Sequence, residues 1–381
     1  MNISWDQRMP RKRVILFLIL ALGCALGVFA QDKKPPAKSA EDDVIRIETE
    51  LIEVPVFIAD RAGRPVLDLK QSNFVIFEDG KPQQIADFGA TSAPFEVVLL
   101  LDTSGSARGE LPLIRRAAEH FVNSLRPGDK VSIVAFRTAT RDGRATPTSE
   151  VLTGLTSDRA TLESALARIA TSNGTPYYDS LLQVAETIFN EPARTDFRGR
   201  RALVALTDGV DSTSLSDFEE ARELLEKAGV TCYFIQVNTR DFFEENLLGN
   251  CEAAIRFSVA QIRRYYRKIA GSSKLEKTNN FCQLGNFERL AISKKLYELA
   301  DEEMHSLAKS SGGKVFPAAD MSEARAAFKK VAEEIGTKYS LGYYSSNDKR
   351  DGSYRRIKVD VKGLPAGTQI RAREGYTAPV N

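Results

Sequence analysis

The sequence predicts an α/β fold, a doubly wound sheet covered by helices on both faces, inserted between two β-rich flanks. Three observations point there. From Phe95 onward, short apolar runs alternate with amphipathic helical patterns. Residues 44–90 read only as strands and turns, and the last forty residues return to that β text. Fully apolar strands separated by helices belong to a parallel sheet buried on both sides.

Residues 1–30 stand apart. RMPRKR is a basic n-region, and VILFLILALGCALGVFA is an uncharged apolar run ending in Val28-Phe29-Ala30, with small residues at both cleavage-specificity positions. The expectation is a signal peptide over 1–30 and an exported chain, periplasmic or extracellular. A retained membrane anchor is the alternative, because residues 14–30 just reach the length that spans a bilayer. A lipoprotein site at Cys24 ranks last, since the apolar run continues past it. Residues 31–42, QDKKPPAKSAED, have the composition of a flexible linker.

The leader also carries the basic charge. Of 53 Lys+Arg and 51 Asp+Glu it holds four and one, which leaves 49 against 50. A near-neutral chain gives no global reason to expect nucleic acid or an anionic membrane surface as partner.

The N-terminal β segment spans 43–93. Its strand text VIRIETELIEVPVFIAD is followed by the turn RAGRP and by a hairpin around Asp79-Gly80. The central domain spans 94–337. Its strands are FEVVLLLD, DKVSIVAF, RALVALTD and VTCYFIQV; its helices include ELPLIRRAAEHFVNSL, RATLESALARIA, PYYDSLLQVAETIF and DFEEARELLEKAG. An insertion over 240–290 interrupts the alternation, which resumes with LYELADEEMHSLAKSSGGKVF and the helix at 322–336. The C-terminal β segment, 338–381, contains KYSLGYYSS, YRRIKVDVKG and TQIRAREGY. Neither flank alone closes a core, so the two are expected to pair into one small β-sandwich-like domain. Cys232 lies in an apolar strand and reads as a buried small hydrophobe, whereas Cys251 and Cys282 flank a polar segment and are candidate disulfide partners in an oxidising compartment.

In a doubly wound sheet, ligands gather beyond the carboxyl ends of the strands. Three loops arise there: Asp102-Thr103-Ser104-Gly105-Ser106, Gly174-Thr175-Pro176, and Thr207-Asp208-Gly209. Each alone reads as a helix cap or turn. Together they bring carboxylates and hydroxyls, with no His or Cys, to one edge, a donor set suited to Mg²⁺ or a similar hard cation.

The D-x-S-x-S after the first apolar strand, the later G-T-P and the T-D-G resemble the metal-ion-dependent adhesion site of von Willebrand factor A domains. VPVFIADRAGRPVLDLKQSNFVIFEDGKPQQI and YSLGYY with DGSYRRIKVDV further resemble a bacterial family of exported proteins related to A domains. The resemblance implies that Ser104 and Ser106 bind the ion through their hydroxyls and that Thr175 joins in the ligand-competent state. It implies that Asp102 and Asp208 act mainly through bound water. It also implies a cofactor of Mg²⁺, Mn²⁺ or Ca²⁺ and a protein partner presenting an Asp or Glu that completes the coordination. The function expected is metal-dependent protein binding or adhesion.

Two alternatives stay open: an envelope structural component that uses no metal, and a carboxylate-metal hydrolase. Against an enzyme, Ser104 stands where phosphoryl transfer of the D-x-D type needs a second Asp. His120 and His305 sit within helical patterns, and no phosphate-loop or dinucleotide glycine fingerprint is present.

Overall fold

The computed structural model describes residues 50–380 except 90, 92, 106–109, 142, 195–196, 198–199, 253 and 271–280. The leader at 1–30 and the linker at 31–42 lie outside the described residues. Among the described residues, no helix is long and apolar enough to cross a membrane.

The first flank contributes β1 (Leu51–Ala59), β2 (Phe74–Glu78), β3 (Lys81–Gln83) and β4 (Ile85–Gly89). Then follow β5 (Glu96–Leu101), α1 (Leu111–Ser124), β6 (Lys130–Arg141), β7 (Arg144–Thr156), α2 (Arg159–Ala167), α3 (Tyr177–Gln183), β8 (Arg201–Thr207), α4 (Phe218–Lys227) and β9 (Val230–Val237). The chain continues with α5 (Arg240–Leu247), α6 (Val259–Ala270), α7 (Asn286–Ser311), β10 (Lys314–Ala318) and α8 (Met321–Gly336). The second flank adds β11 (Tyr339–Tyr344), β12 (Tyr354–Val361), β13 (Gln369–Ala372) and β14 (Gly375–Thr377).

The central sheet runs β10-β9-β8-β5-β6-β7. Its first five strands are parallel, and β7 runs antiparallel to β6. The expected all-parallel sheet is therefore a mixed one. The β7 text is rich in Thr and Ser and only half-buried, so it lacks the continuous apolar run that marks the central strands.

Strand alternation sorts the core into two halves. Val97, Leu99 and Leu101 of β5 point to one face, where Ile114 and Phe121 of α1, Leu162 of α2 and Phe328 of α8 cover them. Val98 and Leu100 point to the other, against Leu181 of α3, Leu225 of α4 and Met304 of α7. The helices start where their caps dictate. The Asp158, Asp217 and Asp320 carboxylates accept the first free amides of α2, α4 and α8.

The flank strands form two four-stranded sheets, β13-β1-β11-β4 and β14-β12-β2-β3. In the first, strands from the two ends of the chain alternate; in the second, the C-terminal pair β14-β12 joins the N-terminal pair β2-β3 through β12 and β2. The two sheets share one apolar core that includes Val54, Ile58, Ile76, Tyr339, Leu341 and Val359. Buried Glu78 accepts from the hydroxyls of Tyr343 (2.7 Å), Ser345 (2.6 Å) and Tyr376 (3.0 Å), and Arg355 lies 3.5 Å away. A buried carboxylate is tolerated because it is this fully hydrogen-bonded.

Between the two parts lies Lys338, the residue after Thr337 caps α8. It is buried, donates from Nζ to the Gly312 carbonyl (2.8 Å), and stands 5.2 Å from the centre of the Tyr233 ring. Burial pulls its ammonium down to about 7 from the ordinary 10.5. The unfolded chain therefore binds more protons between those values, and stability should rise with pH across that window. The slope reaches at most about 1.4 kcal/mol per pH unit. Urea unfolding at pH 7 and pH 9.5 should show that rise, and Lys338→Met should flatten it. An unchanged slope in the variant would refute the assignment.

The insertion is stapled. Cys251 and Cys282 are joined in a disulfide, while Cys232 is free and buried. With its ends 31 positions apart, the bridge should contribute about 3.5 kcal/mol by restricting the unfolded segment. Replacing both cysteines by serine should speed amide exchange in α6 and leave β5, β8 and β9 protected. Equal protection of α6 in both proteins would contradict this.

Candidate functional site

The site begins with register. Strands β5 and β8 are parallel neighbours with Leu101 opposite Leu206. Asp102 and the Thr207-Asp208 pair thus leave the sheet side by side at its carboxyl edge. The Asp102 amide donates to the Leu206 carbonyl at 2.9 Å, which holds the strand end in place. Asp102 is buried. Its Oδ1 accepts from the Ser104 amide (3.0 Å) and its Oδ2 from the Thr207 hydroxyl (2.8 Å).

Hydrogen bonds then stitch the three loops together. The Ser172 amide donates to the Thr103 carbonyl (2.7 Å), joining the first loop to the second. The Thr175 amide donates to the Ser212 hydroxyl (2.8 Å) and its carbonyl accepts from the Ser212 amide (3.0 Å), joining the second to the third. The Asp211 carboxylate accepts from the Tyr177 amide (3.0 Å), so the third loop also holds the start of α3. Glycine is required at two points of this seam. A Cβ on Gly174 would lie 2.8 Å from Pro147 Cγ and Thr213 Cγ2. Gly209 has φ 74°, and a Cβ there would meet Met304 Cε at 2.9 Å.

Asp208 follows, also buried at this edge. Its Oδ1 accepts from the Val210 amide (2.9 Å), and its Oδ2 accepts from the Thr239 hydroxyl, which in turn lies 2.9 Å from the Tyr297 hydroxyl. Burial raises both carboxyls. Asp102 is pushed above the usual carboxylate range, with its bonds to Ser104 and Thr207 pulling the other way. Asp208 is pushed up to about 7 by burial and then by the negative charge of Asp102. Among the described residues, neither is in an ion pair with Lys, Arg or His.

Four of the five expected residues, Asp102, Ser104, Thr175 and Asp208, are therefore buried on the stitched loops of one sheet edge. Ser106 lies outside the described residues. No group of three or more His, Cys, Asp or Glu side chains is placed to hold a metal ion among the described residues. A cation here would have to rely on two carboxylates, on hydroxyls and on water. That hard-oxygen set, under-neutralised in a buried place, fits Mg²⁺ better than a soft or nitrogen-seeking metal.

Asp211, Ser212, Thr239 and Tyr297 are not among the residues that the sequence points to. Asp211 and Ser212 belong to LTDGVDS, whose second acid and serine were the available signal. Thr239 and Tyr297 are ordinary residues by pattern, brought in by the packing of the insertion.

Residues 97–210 match the family model described as the von Willebrand factor type A domain. This stretch is a von Willebrand factor type A domain. No curated protein matches the chain. Among solved structures, the chain is similar to the conserved hypothetical protein BatB from Bacteroides thetaiotaomicron, at 18% identity and TM-score 0.38, over 63% of this chain and 98% of that one. It is similar to a von Willebrand factor type A protein from Catenulispora acidiphila at 12% identity and TM-score 0.41, over 87% and 75%. It is also similar to the pilus adhesin SpaC from Lactobacillus rhamnosus GG at 9% identity and TM-score 0.41. That last match covers 86% of this chain and 48% of the adhesin, so the chain spans about half its length. The three loops of the site are thus contributed by the A domain and its immediate continuation.

Proposed function

We propose that this A domain is a metal-dependent protein-binding module of an exported protein, periplasmic or extracellular. Ser104, Ser106 and Thr175 would hold Mg²⁺, or Mn²⁺ or Ca²⁺, through their hydroxyls, with Asp102 and Asp208 acting through water. The bound cation supplies a Lewis-acidic position that an Asp or Glu of a partner protein completes. The single observation that carries this reading is the pair of buried, mutually repelling carboxylates, Asp102 and Asp208. They are surrounded by hydroxyls and amides at the carboxyl edge of the sheet. Hydroxyl ligands would leave the ion's charge largely uncompensated, so it would keep charge for an incoming carboxylate.

We read the two flank sheets as one sandwich-like support into which the A domain is inserted. A binding role is favoured over catalysis because, among the described residues, neither histidine adjoins the loops. His120 is exposed on α1, and His305 is exposed on α7 with its Nδ1 2.9 Å from the Asp301 carbonyl. An envelope structural role without metal is the competing reading. The test is affinity capture from envelope extract, with wild-type and Asp102→Ala baits, each with Mg²⁺ and with chelator. Proteins retained only by wild type in Mg²⁺ support the proposal; retention indifferent to both changes supports the structural role.

A further inference from the structure

The insertion and the residues that bound it reach the site through two contacts. Its own core gathers Leu247, Phe257, Ile262, Phe281 and Leu296, closed by the Cys251–Cys282 bridge. From that core, the Arg264 guanidinium extends to Asp211. One nitrogen lies 3.1 Å from the carboxylate and another 3.4 Å from the Asp211 carbonyl, and the guanidinium carbon stands 4.4 Å from the Tyr178 ring centre. The Asp211 side chain is fully buried. On its other oxygen it accepts from the Tyr177 and Tyr178 amides at 3.0 and 3.5 Å. Those two residues follow Thr175-Pro176 directly, and the neighbouring Ser212 brackets Thr175 from both sides of its peptide. The second contact is the Tyr297–Thr239–Asp208 chain, in which Tyr297 belongs to α7 and Thr239 caps α5.

Resting on the cation reading above, we propose that Arg264 is a positioning residue of the cation site. It fixes Asp211, and through Asp211 the start of α3 and the placement of Thr175. The insertion is then a working part of the site rather than a solvated excursion from the sheet. The Tyr177 and Tyr178 amides, the Ser214 hydroxyl and the Arg264 guanidinium converge on one buried carboxylate, and Arg264 is the one cationic side chain paired with it among the described residues. Loss of that cation leaves a buried carboxylate facing only two amides and a hydroxyl, with no positive charge beside it, and the loop carrying Thr175 is held less firmly in register.

The test compares wild type, Arg264→Met and Arg264→Lys by amide hydrogen exchange and by calorimetric titration with MgCl₂. Arg264→Met should speed exchange at Tyr177 and Tyr178 selectively, while Ile292 and Leu296 keep their protection. It should weaken Mg²⁺ binding by about tenfold, within the usual range for coupling between sites. Arg264→Lys, which keeps the charge, should restore part of both. Wild-type exchange at Tyr177 and Tyr178 in Arg264→Met overturns the proposal, as does loosening spread evenly over α6 and α7. Absence of Mg²⁺ binding by wild type would instead overturn the cation reading. The exchange data alone would then decide whether Arg264 holds the loop.

Discussion

A chain ended after Lys338 should lose all ordered structure between residues 50 and 89 while its central sheet stays folded. Among the described strands, β1 pairs only with β11 and β13, and β4 only with β11. Removing the second flank leaves β1 and β4 without partners, and β2 with nothing but the three-residue β3. Two-stranded remnants of that size are not stable in water. The flank core would also lose Tyr339, Leu341, Tyr343, Ile357, Val359 and Tyr376, and Glu78 would lose both of its tyrosines and its arginine. The two core clusters that flank the central sheet include no residue from either flank, so they have no direct reason to melt. Amide exchange on the truncated chain reads both halves at once. Residues 51–89 should exchange at unfolded rates and β5, β8 and β9 slowly. Continued protection of β1 would show that the first flank folds alone.

The second large effect concerns the site. Asp102→Ala should abolish stabilisation by Mg²⁺ in thermal unfolding. A ligand at a hundredfold excess over its Kd stabilises the folded state by about 2.7 kcal/mol, which for a chain of this size is several degrees in Tm. Asp102 is the residue whose loss removes most, because one oxygen arranges the Ser104 amide and the other the Thr207 hydroxyl next to Asp208. The quantity to compare is the Mg²⁺-dependent difference, not the metal-free Tm. Deleting a buried carboxylate relieves desolvation and repulsion of Asp208, while it orphans a buried amide and a hydroxyl, and these costs offset one another. Asp102→Asn, which keeps the shape and one acceptor, separates charge from packing. It should show the same loss of the Mg²⁺ effect. An Mg²⁺ shift equal to wild type in both variants would remove Asp102 from the site.

Much of this arrangement is legible before any coordinates. Val97 to Leu101, Ala202 to Leu206 and Cys232 to Ile235 are apolar without interruption, which only a sheet covered on both faces allows. A polar residue that ends such a run must emerge at the carboxyl edge, and this places Asp102 and Asp208. The hairpin at Asp79-Gly80 is equally plain, because both residues take positive φ, at 47° and 79°. What local pattern does not carry is pairing decided at a distance. Strand β7 is half-buried and Thr-rich, so nothing in its own text distinguishes an edge strand from a loop. Helix α7 begins at Asn286, inside the stretch that breaks the alternation, because Ile292 and Leu296 face the insertion's core whereas Met304 and Leu307 face the sheet. One helix serving two cores has no single apolar stripe. Arg264 likewise looks like any residue of a basic helix until Asp211 is placed beside it.

The most direct measurement is a calorimetric titration of MgCl₂ into the chelator-treated protein at neutral pH, repeated with Asp102→Ala. A saturable isotherm for one ion per chain, lost in the variant, is the expected result. Heats no larger than dilution in the wild type, or an unchanged isotherm in the variant, would contradict a cation site built on these loops.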